Sequence, residues 1–185
     1  MGTGESGYRR FIAGEREAFE EVIDEYRESL IFFIYRYIGD IETAEDIAED
    51  VFVELIIHPY RYDFKASLKT YIFSIGRNKA VDYIRKRSRL SFMDESTFEF
   101  ADFADTADVK SLEQQVIDDE RLRRVCEVMG QIKKEYRVAL HLVYFEELSY
   151  EEVGRIMKKS RKQVENLIYR GKNAIRRILE EEWFD

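Results

Sequence analysis

Leu148-Ser149-Tyr150-Glu151-Glu152-Val153-Gly154-Arg155-Ile156-Met157-Lys158-Lys159-Ser160-Arg161-Lys162-Gln163-Val164 is the stretch that decides the fold. It reads as two short helices joined by a tight turn, each with its own start signal. Ser149 caps the first helix, and Glu152 returns a bond to the cap's own N–H. Ser160 and Gln163 repeat the arrangement eleven residues on. Two capping boxes at that spacing, each ahead of an apolar-periodic run, predict a helix-turn-helix. The second helix is also basic, as entry into a DNA major groove requires.

Outward from this stretch, the sequence reads as helical nearly throughout. One proline in 185 residues, with 45% hydrophobic and 37% charged side chains, predicts a soluble all-α protein with room for one large or two small domains. A lone cysteine, Cys126, excludes an internal disulfide framework and fits a reducing compartment. The longest apolar run, Leu30 to Ile38, is interrupted by Arg36 and is too short for a membrane span. The N-terminus lacks a basic region followed by an apolar core, so no secretion signal is expected.

Net charge is −8, but it is segregated. Residues 15–54 hold 14 acids against 3 bases, and 90–120 hold 10 acids against 1 base. Between and after them, 61–89 hold 9 bases against 2 acids, and 155–177 hold 9 against 1. Nucleic-acid affinity follows the local field, so two separate contacts are open to this chain. Solvated helix faces are the plainer reading of the same blocks.

Phe19, Val22, Ile23, Tyr26, Leu30, Phe33, Ile34 and Tyr37 recur at helical spacing, and Gly39 ends that helix. Thr43 with Asp46 is the expected start of the next, whose apolar side is Ala44, Ile47, Ala48, Val51 and Leu55; Pro59 stops it. Ser67 caps a third helix reaching about Arg87. Leu68, Ile72 and Ile75 lie along one side of it, and Phe73, Ala80 and Ile84 along another, which places it inside a bundle. Residues 88–115 lose all period and read as an acidic linker dotted with phenylalanines. Helices are then expected at about 113–130, 134–146, 149–157 and 160–181. Val164, Leu167, Ile168, Ile175, Ile178 and Leu179 form the last one's inward stripe, with Gly171 on it admitting a close neighbour.

Three surfaces could carry function. On the last helix Arg161, Lys162, Glu165 and Asn166 face out near its start and are candidates to read base edges; Tyr169 and Asn173 also face out, and Arg170, Lys172, Arg176 and Arg177 suit phosphates. On the helix beginning at Ser67, Arg77, Lys79, Arg85, Lys86 and Arg87 interleave with Tyr71, Phe73, Asn78 and Tyr83, a mixture that suits unpaired bases or, equally, a core with solvated cations. On the helix before it, Glu42, Glu45, Asp46, Glu49 and Asp50 lie opposite the apolar side. They form either a docking face for a basic protein or a merely soluble one. His58 and His141 are 83 residues apart, and no metal spacing, phosphate loop or nucleophile–base pattern occurs, so no catalysis and no cofactor are expected.

These surfaces occur together in one family. In Ala44-Glu45-Asp46-Ile47-Ala48-Glu49-Asp50-Val51-Phe52, in the helix Ser67 to Lys86, in Glu135-Tyr136-Arg137-Val138-Ala139-Leu140 and in Leu148 to Gly154, the chain resembles the extracytoplasmic-function (group 4) sigma factors of bacterial RNA polymerase, of the sigma-70 family. The resemblance covers about residues 10–181. It implies two small helical domains, a region 2 bundle over 8–88 and a region 4 helix-turn-helix domain over 114–185, joined by a flexible acidic linker over 89–113. The linker would thread toward the polymerase active site. Glu45, Asp46, Glu49 and Asp50 would dock on the core enzyme. Asp63, Phe64 and Lys65 of the loop, with Tyr71, Arg77, Asn78, Lys79 and Arg85, would hold single-stranded DNA of the minus-ten element. Arg161, Lys162, Gln163, Glu165, Asn166, Tyr169, Arg170 and Lys172 would meet the minus-thirty-five duplex. The implied partners are RNA polymerase core enzyme and promoter DNA, with an anti-sigma factor as a further candidate. The implied setting is cytoplasmic transcription initiation in a stress or envelope response.

The chain departs from the family where Tyr71 stands for a common Trp, where Gly76, Gly154 and Gly171 stand for Ala, where Ile132-Lys133 stands for Leu-Pro, and where Lys158 stands for the Gly of the turn. An ordinary helix-turn-helix repressor or activator, or a helical adaptor binding only proteins, would explain part of the pattern. Neither needs the second basic helix or the acidic linker.

Overall fold

The structure, a computed structural model, describes residues 2–91 and 127–181, and within them every regular element is helical. Their contacts divide them into two units, one holding residues 2–91 together with Arg155–Lys158 and the other holding the rest. The linker expected over 89–113 lies outside the described residues except for 89–91, which continue a helix; the beginning of the helix expected over 113–130 lies outside them as well.

The first unit contains α1 (Thr3–Ile12), α2 (Phe19–Ile38), α3 (Ile41–Ile57) and α4 (Leu68–Ser91). The apolar period of α2 faces inward as its spacing predicts: Phe19, Val22, Tyr26, Leu30, Phe33 and Ile34 are all buried. Each such side chain removed from water contributes about 1.5–3 kcal/mol. Gly39 ends the helix in the left-handed region, φ 79°, and its N–H donates to the Tyr35 carbonyl at 2.7 Å. The start of α3 corrects the expected Thr43–Asp46 cap. Asp40 is the cap, its carboxylate accepting from the Thr43 N–H at 2.9 Å and from the Thr43 hydroxyl. The extended backbone at Asp40, set by the reversal at Gly39, aims its carboxylate at the first turn. Ser67 caps α4 as expected, its Oγ 3.2 Å from the Thr70 N–H. Leu68, Ile72, Phe73 and Ala80 are fully buried, so α4 is packed on two sides, and Gly76 lets the Leu30 and Ile34 side chains of α2 approach.

Helix α1 carries no clear sequence signal, because Gly4 and Gly7 each weaken a helix by about 1 kcal/mol. Tertiary contacts outweigh that. Glu25 of α2 accepts from the Gly4 N–H and the Thr3 hydroxyl, capping α1 from another helix. Those bonds outweigh the cost of its burial and hold its carboxyl below the ordinary range. Tyr8 is fully buried and donates between the carbonyls of Leu55 (3.2 Å) and Pro59 (3.3 Å). The packed bundle therefore begins before residue 8.

The second described stretch contains a helical segment at 127–131, then α5 (Lys134–Tyr144), α6 (Tyr150–Met157) and α7 (Arg161–Glu181). Arg137 of α5 donates to the carbonyls of Gly130 (2.8 Å) and Ile132 (3.2 Å), closing the preceding segment onto α5. Both capping boxes are formed. Glu152 accepts from the Ser149 N–H at 2.9 Å, and Gln163 from the Ser160 N–H at 2.8 Å. Ser149 and Ser160 accept in return from the N–H groups of Glu152 and Gln163 at 3.3 Å. The turn between α6 and α7 closes on Lys158 at φ 55°. Lys158 N–H bonds Arg155 O at 3.4 Å and Lys159 N–H bonds Gly154 O at 2.9 Å, the two-bond pattern that ends a helix on a left-handed residue. A lysine there costs about 1–2 kcal/mol in backbone strain.

On α7, Val164, Leu167, Ile168 and Gly171 are buried. The expected inward position of Leu179 is not met: it is exposed. The 21 residues of α7 are nearly twice the 11 of α5, so the packed stripe does not cover the last turn.

Candidate polymerase-docking and DNA-facing surfaces

The side of α3 opposite its buried stripe carries Glu42, Asp46, Glu49 and Asp50 exposed and Glu45 half-buried. No cation pairs with any of the five among the described residues. At helical spacing the same side runs on into Val53, Ile56 and Ile57, all exposed, with Tyr60 81% exposed just beyond. Sequence reasoning assigned the acids and missed this apolar continuation. Helical spacing carried on past Asp50 would have found it.

Glu54 sits on a different side of α3. Its carboxylate takes Arg61 at 3.3 Å and Lys79 of α4 at 3.1 Å. Of the residues expected to meet single-stranded DNA, Lys79 is thus tied down within the bundle, a role that the basic run did not reveal. Tyr71 is half-buried, its ring stacked on Tyr62 at 5.1 Å and 28°. Arg77 and Asn78 are half-buried and lie against each other, the guanidinium 3.4 Å from the amide oxygen. Arg85 is exposed, 3.7 Å from Asp82.

The loop before α4 is ordered by its own bonds. Tyr62 is buried and its hydroxyl donates to the Ala66 carbonyl at 2.6 Å. Asp63 accepts from the Lys65 N–H at 3.1 Å and pairs with its ammonium at 2.9 Å. Between them Phe64 takes φ 59° and stays partly exposed. Asp63, Phe64 and Lys65 therefore project together from a fixed turn.

On α7, all eight expected duplex-facing residues are exposed. Gln163 has its side-chain oxygen engaged at the Ser160 N–H, so its first duty is the cap. Arg161 is held from two sides, by Glu151 of α6 at 2.8 Å and Glu165 one turn on at 3.1 Å. That geometry presents the guanidinium at the helix start rather than leaving it free to swing. Lys162, Asn166 and Arg170 carry no partner among the described residues, and Lys172 lies over the Tyr144 ring at 4.9 Å. His141 is a core residue of this unit, 4% exposed and stacked on Phe145, with Nε2 3.2 Å from Glu146.

No described helix is long and apolar enough to cross a membrane. A family model described as Sigma-70 region 2 matches residues 22–90, and one described as Sigma-70, region 4 matches residues 122–175. The ECF RNA polymerase sigma factor SigW of Bacillus subtilis is 27% identical over 176 residues, 90% of this chain and 91% of that protein. The RNA polymerase sigma-H factor of Pseudomonas aeruginosa is 26% identical, with 92% and 91% covered. Among solved structures, the fold is like CnrH in complex with the cytosolic domain of CnrY (TM-score 0.65, 18% identity, 97% and 98% covered). It is also like the sigma factor RpoE in complex with the anti-sigma factor NepR from Bartonella quintana (TM-score 0.64, 18% identity, 88% and 96% covered). At that identity the two structures speak to fold alone. With both region models matched, and relatives aligned along nine-tenths of its length, the chain belongs to the sigma-70 family as an extracytoplasmic-function sigma factor.

Proposed function

We propose that this chain is the promoter-specificity subunit of a bacterial RNA polymerase, acting in the cytoplasm in a stress or envelope response. The observation that carries the reading is an uncovered acidic and apolar stripe on α3 in the same chain as an exposed basic second helix of a helix-turn-helix.

Each surface has a physical task. The α3 stripe, Glu45, Asp46, Glu49 and Asp50 with Val53, Ile56 and Ile57, combines charge that orients with apolar area that holds, and it docks on the core enzyme. Phe64 and Lys65, with Arg85, offer a ring and cations to an unpaired strand at the minus-ten element; Asp63 shapes the turn, and Tyr71, Arg77, Asn78 and Lys79 stiffen the platform behind it. Arg161, Lys162, Glu165 and Asn166 enter the major groove at minus thirty-five, while Tyr169, Arg170 and Lys172 lie along the backbone. Catalysis stays with the polymerase, and no cofactor is assigned to this chain. Because a protein of like fold is found bound to an anti-sigma factor, an anti-sigma partner is proposed for this chain as well.

The experiment adds the purified chain to core polymerase on a promoter selected by the holoenzyme from a random-sequence pool. Initiation that requires the chain, with binding that weakens steeply as salt rises, is the expected result. Core enzyme that initiates equally well without it, or a chain that never associates with core, removes the proposal.

A further inference from the structure

α1 lies outside the segment matched by the region 2 model, yet it touches the loop assigned to the minus-ten strand. The Arg9 guanidinium carbon stands 4.2 Å from the centre of the Phe64 ring. The Tyr62 ring approaches Phe64 at 4.4 Å and 49°. Tyr62 is in turn stacked on Tyr71 and lies 5.9 Å from Tyr8, the α1 residue next to Arg9. Arg9 is itself steadied by Glu5, one turn earlier, at 3.2 Å. Phe64 thus occupies a left-handed backbone conformation, disfavoured for any side chain larger than glycine's, with a planar cation on one side and an aromatic ring on another. Phe64 as a residue remains 38% exposed to solvent.

We infer that Arg9 is a positioning residue for promoter melting, which fixes the Phe64 ring as a stacking platform for an unpaired base. The inference rests on the proposed function. The chemistry is that of a guanidinium over a ring: attraction for the π-face holds the ring without covering it entirely. A ring already held needs no ordering when the base arrives, so the contact favours the melted strand over the duplex. Donors of Arg9 not used on Glu5 are available to a nearby phosphate.

The test uses the full chain with core polymerase on two templates of the same selected promoter, one fully duplex and one premelted across the minus-ten element. Arg9→Ala should lower open-complex formation on the duplex by roughly two- to five-fold, the factor corresponding to one exposed cation–ring contact. On the premelted template the loss should persist while the unpaired strand carries its bases and vanish when that strand is abasic. Core affinity should not move, and the thermal midpoint should fall by no more than about 2–8 °C, the cost to the fold of that one contact. Arg9→Lys, which keeps a cation over the ring, should recover part of the loss. Equal activity of Arg9→Ala and the unaltered chain on the duplex overturns the inference and leaves the proposed function standing. A loss that persists on the premelted template with an abasic strand, or a thermal midpoint lowered by more than about 8 °C, overturns it in favour of a purely structural role. If the unaltered chain supports initiation on neither template, the proposed function falls, and this inference with it.

Discussion

Alanine should destabilise this protein at Gly154 and Gly7 and be tolerated at Gly76, although all three are helical glycines. A Cβ on Gly154 would stand 2.7 Å from the Lys159 carbonyl oxygen, and one on Gly7 would stand 2.7 Å from the Ala18 carbonyl oxygen. Both obstacles are backbone. At Gly154 the obstacle belongs to the residue whose N–H closes the turn onto the Gly154 carbonyl. Relieving the clash means opening the turn that launches α7. A Cβ on Gly76 would meet Leu30 Cδ1 at 2.9 Å, the far end of a side chain that can turn away.

The magnitudes decide the sign. Overpacking against a fixed group costs about 1–3 kcal/mol. Exchanging glycine for alanine in a helix returns about 1 kcal/mol. Gly154→Ala and Gly7→Ala, which meet backbone that cannot turn away, should therefore lose up to about 2 kcal/mol net, whereas Gly76→Ala sets the same return against a rotamer shift of about 0.5–1.5 kcal/mol and stays near zero. In circular-dichroism melts each lost kcal/mol lowers the midpoint by about 4–8 °C for units of this size. Hydrogen exchange should place the Gly154→Ala weakening at α6 and the start of α7. If Gly154→Ala melts as high as Gly76→Ala, the fixed-carbonyl reasoning is wrong, and the turn can relax into the form compatible with alanine there.

Reversing charge at Asp46 and Glu49 together should weaken binding to core polymerase at least tenfold, since like charges brought together across an interface cost several kcal/mol; unchanged affinity would remove α3 as the docking face. Arg161→Ala should cost about 1–3 kcal/mol of discrimination at one base pair, and a uniform loss on every sequence would reassign it to phosphate. Burial pushes the Lys134 ammonium down to about 8, with Arg137 adding to the effect. The folded state then holds fewer protons than the unfolded one between that value and the ordinary 10.5, so this group should add stability as pH rises through that window; an NMR titration of Lys134 with a midpoint at its ordinary value would refute it. Burial pushes the Tyr8 and Tyr26 hydroxyls well above 10.0 and Tyr62 up to about 12, so their contribution is complete below pH 10 and lost above it; tyrosinate absorbance rising fully near pH 10 without unfolding would contradict this.

The helix-turn-helix was legible because its signals are local. A capping box is satisfied within four residues, and the same side chains that announce it make the bonds. α1 was not legible, because what stabilises it is remote in sequence: a carboxylate at Glu25, carbonyls at Leu55 and Pro59, and close approach at two glycines that argue against a helix when read alone. Asp40 was passed over for Thr43 on the same ground. Once Gly39 turns left-handed, the carboxylate at 40 reaches the first turn, and that depends on a backbone angle rather than on residue type.

The candidate sites divide by a related rule. Charge blocks of opposite sign that are neighbours in sequence also share the first bundle, so part of each neutralises the other. Glu54 belongs by composition to the acidic block and Lys79 and Arg61 to the basic one, yet the three form a single ion-pair cluster at the bundle surface. Counting charges therefore overstated both surfaces, and what is left over is more specific than either block. α3 keeps five carboxyl groups with no paired cation among the described residues, while the loop proposed to meet DNA keeps Phe64 and Lys65 on a turn held by Asp63. Residues 127–181 contain no comparable acidic block, and there the outward-facing residues read from sequence are exposed in the fold except Asn173, which is half-buried. Where a basic helix packs beside an acidic one, its unpaired cations identify a nucleic-acid surface better than its total charge does. By that measure α7 is the broader of the two proposed DNA-binding surfaces, and the loop before α4 the narrower and more preorganised one.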